Sequence, residues 1–234
     1  MGYYGMDIYY VLLVVPAFIL ALWAQFRVKR AYKKWSAVRN SRGLTGAQAA
    51  SRVLYEHGIT NVRIERISGT MTDHYDPRDN VIRLSEGVYD SPTVSAVGIA
   101  CHEAGHAVQH AKDYTPIRVR NAILPACNIG SRIGLPMAIL GLFIWRTGIG
   151  EYLFWAGILL YALVAVFQLV TLPVEFNASR RALKAIDGSG MLAGEEYRGA
   201  KQVLTAAALT YVAALAVSLA NLLRLILSVT GRKR

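Results

Sequence analysis

The sequence predicts a mainly α protein, a multi-pass transmembrane helical bundle of about four spans with a small α+β domain on its cytoplasmic side. Three observations carry that expectation. Of its 234 residues, 54% are hydrophobic and only 18% charged, against roughly 45–50% and about 25% in soluble domains. The apolar residues collect in four runs, each long enough to cross hydrocarbon as a helix, which takes about 20 residues. Between the first two runs lie about 95 residues, 27–121, with the mixed texture of a soluble domain. This composition excludes disorder and a collagen-like chain. Cys101 and Cys127 are too few for a disulfide framework, and both sit in apolar surroundings, so they read as reduced thiols.

The first run, Ile8–Phe26, is uncharged, with Tyr9, Tyr10 and Trp23 placed as interfacial anchors. A signal peptide fits it poorly. Asp7 stands where a basic stretch is required, and no small-residue cleavage site precedes the basic run, so residues 1–26 read as a retained anchor. The second run, Ala122–Trp145, holds Asn128, Ser131, Arg132, Pro125 and Pro136. Polar groups at that depth must face protein or water, and Gly130 with Gly134 would let a neighbouring helix approach closely. The third, Tyr152–Val174, is uncharged until Glu175. The fourth, Val203–Leu223, is apolar up to Arg224. Residues 122–234 thus read as a transmembrane bundle.

Lys and Arg set the orientation. Residues 27–42 hold Arg27, Lys29, Arg30, Lys33, Lys34, Arg39 and Arg42 with no acid, while residues 1–7 hold no base, so the N-terminus is expected outside and the segment after it in the cytoplasm. Residues 175–202, read as a cytoplasmic loop, carry Arg180, Arg181, Lys184, Arg198 and Lys201. The short connection Thr147–Gly150 falls outside. Arg232-Lys233-Arg234 breaks the pattern, since four crossings would put the tail outside. The formal charge of +11 is thereby explained as attraction to anionic lipid. The bilayer is the expected partner, and nucleic acid is not.

Within 27–121, Thr45 and Gln48 form a capping box ahead of a helix over Ala47–His57, which Gly58 ends. Alternation from Val62 to Ile67 predicts a short strand, Ser68–Asp79 a loop, and Val81–Leu84 a second strand. Ser91-Pro92 is expected to open a helix running to about Lys112, with proline at its first position.

That helix carries His102-Glu103-Ala104-Gly105-His106, an H-E-x-x-H pattern. Residues four apart share a helix face, so two imidazoles can converge on one ion. Glu103 lies beside the first of them, close enough to take a proton from a water without itself being a ligand. A catalytic zinc site needs three protein ligands and one open position. The metzincin extension is closed, because Gln109 and Lys112 stand where its glycine and histidine would be. His110 continues the i, i+4 series, but helix drift makes three such rings poor partners for one ion, and a structural or supporting role suits it better. Glu175 is the best carboxylate, since a charge at that membrane border is costly unless paired or metal-bound. A salt bridge to Arg180 or Arg181 is the alternative. Glu195 and Glu196 are weaker candidates, and Glu151 falls on the wrong side.

The runs Ser68-Gly69-Thr70-Met71-Thr72-Asp73-His74-Tyr75-Asp76-Pro77, Val81-Ile82-Arg83-Leu84-Ser85, His102 to His110, and Val174-Glu175-Phe176-Asn177-Ala178-Ser179-Arg180-Arg181-Ala182 together resemble the YugP-like neutral zinc metallopeptidases of bacterial membranes. The resemblance spans nearly the whole chain. That family is similar in turn to the membrane zincins of the HtpX and CAAX-protease type, in which a Glu opening an E-x-x-x-D segment is the third ligand. Glu175 matches that Glu, whereas Ser179 replaces the Asp. The resemblance implies a zincin-like cytoplasmic domain of gluzincin type in the bacterial inner membrane. It also implies one Zn2+ on His102, His106 and Glu175, a peptide or protein substrate, and hydrolysis with Glu103 as general base. Asn177 and Ser179 would support the ligands from behind, and His74 or Tyr75 could donate to the oxyanion. Val81–Leu84 is expected as an edge strand that aligns an extended substrate. Two other classes stay open: a catalytically silent scaffold stapled by zinc, and a metal carrier, for which only Arg132 offers a charged position inside a span.

Overall fold

The computed structural model describes residues 8–230. Asp7 and the basic tail Arg232-Lys233-Arg234 lie outside the described residues. The architecture is the expected one, mainly helical with a three-stranded sheet. Four helical stretches are long and apolar enough to cross a membrane: Tyr10–Ser36, Thr115–Phe143, Ile149–Gly188 and Gly194–Thr230.

Each runs past the apolar residues that announced it. A π-helical turn at Tyr10–Val14 leads into α1 (Val15–Ser36), which absorbs much of the basic run. The second stretch comprises α5 (Thr115–Ile129), a π-helical turn at Gly130–Gly134, and α6 (Leu135–Phe143). Both π turns end two residues before a proline, Pro16 and Pro136. Proline has no N–H for the carbonyl four residues back, and its ring crowds that carbonyl, so the preceding turn widens. The fourth and third stretches are α8 (Gly194–Thr230) and α7 (Ile149–Gly188), the latter continuous through Pro173. The expected loop 175–202 is therefore corrected: it is helical to Gly188 and again from Gly194. Its charges alternate with buried Ala178, Ala182, Ala185 and Ile186 at helical spacing. A drop in hydropathy marks the end of a span and leaves the helix free to continue.

The chain forms two compact units. Of the described residues, the first comprises 8–24, 118–172 and 210–230. Its helices approach through glycine: a Cβ on Gly134 would lie 2.7 Å from the Tyr161 nitrogen, and one on Gly130 would strike the Leu160 carbonyl. Ala138, Phe154, Ile158, Leu225 and Val229 form its core. Ile19, Phe143 and Leu159 point outward, as a hydrocarbon solvent allows.

The second unit comprises residues 25–117 and 173–209. Its α2 (Gly46–Glu56) carries both hydrogen bonds of the Thr45/Gln48 capping box, and Gly58 follows it at φ +68°. The sheet has the order β1-β3-β2, with β1 (Arg63–Ile67) parallel to β3 (Val81–Ser85) and β2 (His74–Asp76) antiparallel to it. Two expectations fail here. The loop 68–79 contains β2, a strand too short to alternate visibly. And β3 is central, not an edge: both its backbone sides are paired and Val81, Ile82 and Leu84 are fully buried. A substrate strand has no place to pair with it. After the short α3 (Glu86–Tyr89) comes α4 (Val94–Ala111), capped by the Thr93 side chain. Pro92 stands ahead of the cap, where its carbonyl accepts from Asn40 N–H at 2.9 Å. A Ser-Pro pair announces a helix only when no better cap follows it.

Candidate metal centre

The histidine helix is built for close approach. On α4, Ala100, Ala104 and Ala107 are buried, and a Cβ on Gly105 would lie 2.8 Å from the Ala178 carbonyl oxygen of α7. The two backbones therefore meet one turn from Glu175, with no side chain between them.

This crossing sets Glu175 opposite the imidazoles. His102 Nε2 and His106 Nε2 are 3.1 Å apart, and Glu175 Oε2 is 3.3 Å from the first and 3.6 Å from the second. His106 and Glu175 are buried, and His102 nearly so. Donors bound at about 2.0–2.1 Å to a tetrahedral zinc stand about 3.3 Å from one another. The triangle of two imidazole nitrogens and a carboxylate oxygen has that size, and its donor chemistry suits zinc. These residues fit the ion.

The outward sides of both rings are held. With Nε2 turned toward the donor group, Nδ1 carries the hydrogen. His102 Nδ1 donates to Ser179 Oγ at 3.1 Å, and His106 Nδ1 to Gln109 Oε1 at 3.0 Å. Gln109 Nε2 donates in turn to the Val174 carbonyl at 2.8 Å and to Asn177 Oδ1 at 3.0 Å. Arg181 Nε donates to that same Asn177 oxygen at 2.7 Å. Such outer contacts fix ring orientation and tautomer. Ser179, which stands where the resembled segment has an Asp, thus holds the His102 ring.

The field around the centre favours a cation. Burial is the largest influence on the His106 imidazole and works against its protonation. The Glu175 carboxylate, with Glu103 and the Gln109 hydrogen bond, outweighs that and raises its pKa above the ordinary 6.5. Glu103 is buried on the same helix, one residue after His102. Cys101 is buried as well, and desolvation pushes its thiol far up, which makes it an inert core residue.

The other candidates lie apart from the donor triangle. His110 is exposed, its ring edge-on to Tyr75 with centroids 6.0 Å apart. The Tyr75 hydroxyl donates to Asn80 Oδ1 at 2.8 Å, and His74 Nδ1 pairs with the Thr72 carbonyl at 2.8 Å. Glu195 pairs with Arg198, Glu196 accepts from Ser41, and Glu151 sits in the first turn of α7. Sequence reasoning missed Gln109 as a supporting group. The only signal in the sequence was an amide three residues after His106, on the same helix face; its complete burial is visible only in the fold.

The chain is similar to known proteins along nearly its whole length. The chain is 44% identical over 218 residues to the "Putative membrane protease YugP" of Bacillus subtilis (strain 168), covering 93% of this chain and 95% of that protein. No solved structure matches. Residues 10–230 match the family described as "Putative neutral zinc metallopeptidase", and the chain belongs to that metallopeptidase family.

Proposed function

We propose that the protein is a zinc-dependent integral-membrane endopeptidase of gluzincin type. It cuts peptide or protein substrates on the cytoplasmic side of the bacterial cell membrane, in the processing or quality control of membrane proteins. Residues 27–121 supply the cytoplasmic domain with the histidine helix, and the helical segment 175–202 supplies the third ligand. The observation that carries this reading is the convergence, among the described residues, of three donor groups, His102, His106 and Glu175, beside a buried glutamate.

One zinc ion held by these side chains would act as a Lewis acid and make water a nucleophile near neutral pH. The protein's own part is positioning and proton transfer. Ser179 and Gln109 keep both Nε2 atoms facing the donor triangle. Glu103 takes a proton from the attacking water on a carboxylate oxygen and delivers it to the leaving amine nitrogen. The buried flanks of α4 keep bulk water from competing. An extended substrate would align on an exposed edge of the sheet, since β3 is enclosed.

The test is zinc content and peptide cleavage measured together on purified protein. Glu103→Gln should keep zinc and lose cleavage by at least about 100-fold, whereas His106→Ala should lose the metal. Full cleavage by Glu103→Gln protein would remove the general base from this mechanism.

A further inference from the structure

The second unit contains a cleft of about 850 Å³ between the C-terminal part of α7 and the N-terminal part of α8. Its lining is graded. On α7 the larger apolar side chains Pro173 and Phe176 come first, with Asn177 and Ser179 beside them, and the cations Arg180 and Lys184 follow around Leu183. On α8, read inward, Lys201 is followed by Leu204, Thr205 and Ala208. Because the two helices run in opposite directions along the sequence, apolar residues gather at the end that continues into the apolar runs Tyr152–Val174 and Val203–Leu223. The cations gather at the other end. From Phe176 to Lys184 the helix rises about 12 Å. Arg180, Lys184 and Lys201 are exposed, and none of them has an ion-pair partner among the described residues; Asp187 is the single acid in the lining.

We propose that this cleft binds an anionic phospholipid, with the headgroup phosphate among Arg180, Lys184 and Lys201 and an acyl chain toward Phe176, Leu204 and Ala208. The cations alone would also suit an acidic peptide or a free phosphate. The gradient decides for lipid, because only an amphiphile gains from both ends of the cleft. The cleft adjoins the metal centre, since Asn177 and Ser179 line it as well. None of the three cations is a donor of the triangle, however, and lipid binding there does not require that the protein cleave peptides.

The test uses the full chain purified in neutral detergent, with bound lipid counted by native mass spectrometry during titration with phosphatidylglycerol or phosphatidylcholine. Wild type should hold phosphatidylglycerol on the order of 100-fold in preference, as about 1 kcal/mol for each of the three basic side chains implies. The triple variant Arg180→Gln, Lys184→Gln, Lys201→Gln should fall to within about twofold of parity. Thr205→Trp, which fills the cleft at unchanged charge, should weaken binding of the same lipid and guards against a folding defect in the triple variant. Replacing exposed Lys29, Arg30 and Lys33 by Gln should leave most of the preference intact. The proposal is overturned if those three control positions carry the preference instead. It is equally overturned if millimolar inorganic phosphate or hexaglutamate displaces phosphatidylglycerol, which would mark a bare anion site or a peptide site.

Discussion

Gly105→Ala tests the geometry of the metal centre without touching a ligand. The added Cβ would lie 2.8 Å from the Ala178 carbonyl oxygen, where ordinary contact begins at 3.4 Å, a deficit of about 0.6 Å. Both partners are helix backbone, so neither can rotate away. Relief requires α4 and α7 to separate, and Glu175 is one turn from Ala178. Carried in full to the donors, the shift would stretch the 3.3 and 3.6 Å separations well beyond the ~0.2 Å tolerance of a metal site. Zinc affinity should fall about 10- to 100-fold, the range seen when ligand orientation is lost, or about 1.4–2.8 kcal/mol. Overpacking should add a destabilisation of about 1–3 kcal/mol. A competition titration with a chromophoric chelator, paired with thermal melts, measures both quantities. Gly188→Ala is the control, since nothing lies within 4 Å of its Cβ. If Gly105→Ala protein binds zinc within twofold of wild type and melts normally, the backbone crossing does not set the site.

Other perturbations separate the remaining contacts. Gln109→Leu strips the His106 ring of its partner and the Val174 carbonyl of its donor. Zinc affinity should drop about 10- to 100-fold and stability by about 1–3 kcal/mol, read by the same titration and melts; an unchanged affinity would make Gln109 a core residue only. The Asp76 carboxyl is held below its ordinary 3.8 by the Arg78 backbone N–H, then by Arg83. A lowered folded pKa gives stability that is present above the unfolded value and lost as pH falls through the folded one. The melting gap between wild type and Asp76→Asn should therefore be open near neutrality and close below about pH 4; a gap independent of pH would refute the assignment. Chelation should abolish cleavage while circular dichroism keeps its helical signal, and returning zinc in about 1,000-fold excess over its Kd should add about 4 kcal/mol of stability. Loss of helicity on chelation would mean that the metal holds the fold.

The parts of the site legible in sequence were those fixed by local geometry or by an unavoidable cost. The His102–His106 pair follows from helix periodicity, and Glu103 was read from its place in the H-E-x-x-H pattern. Glu175 stood out because a carboxylate ending a long uncharged run demands a partner, and here the partners are imidazoles. The Thr45/Gln48 cap is equally local. Gln109 escaped because its meaning depends on a carbonyl 65 residues away. The position of β3 escaped for a related reason: pairing order is a property of the folded sheet, and β2 has only three residues. The helical stretches within 175–202, to Gly188 and from Gly194, were hidden by charge, since hydropathy reports which solvent surrounds a helix and says little about where the helix stops.

The number of donors bears on the choice between enzyme and scaffold. Structural zinc sites are closed by four protein ligands, whereas catalytic ones keep a position for water or substrate. Among the described residues the group converging on one point has three members. A zinc staple would also be redundant here. α4 and α7 already meet backbone to backbone at Gly105, and Val97, Ala104, Ala182 and Ile186 are buried in one continuous core. Holding the helices together is thus accomplished by packing, at no cost in buried charge. What packing does not explain is a carboxylate, two imidazoles and a further glutamate desolvated side by side. Such a cluster is expensive unless a cation repays it, and three donors would leave a tetrahedral cation one open position, which is what the proposed chemistry requires and a staple does not.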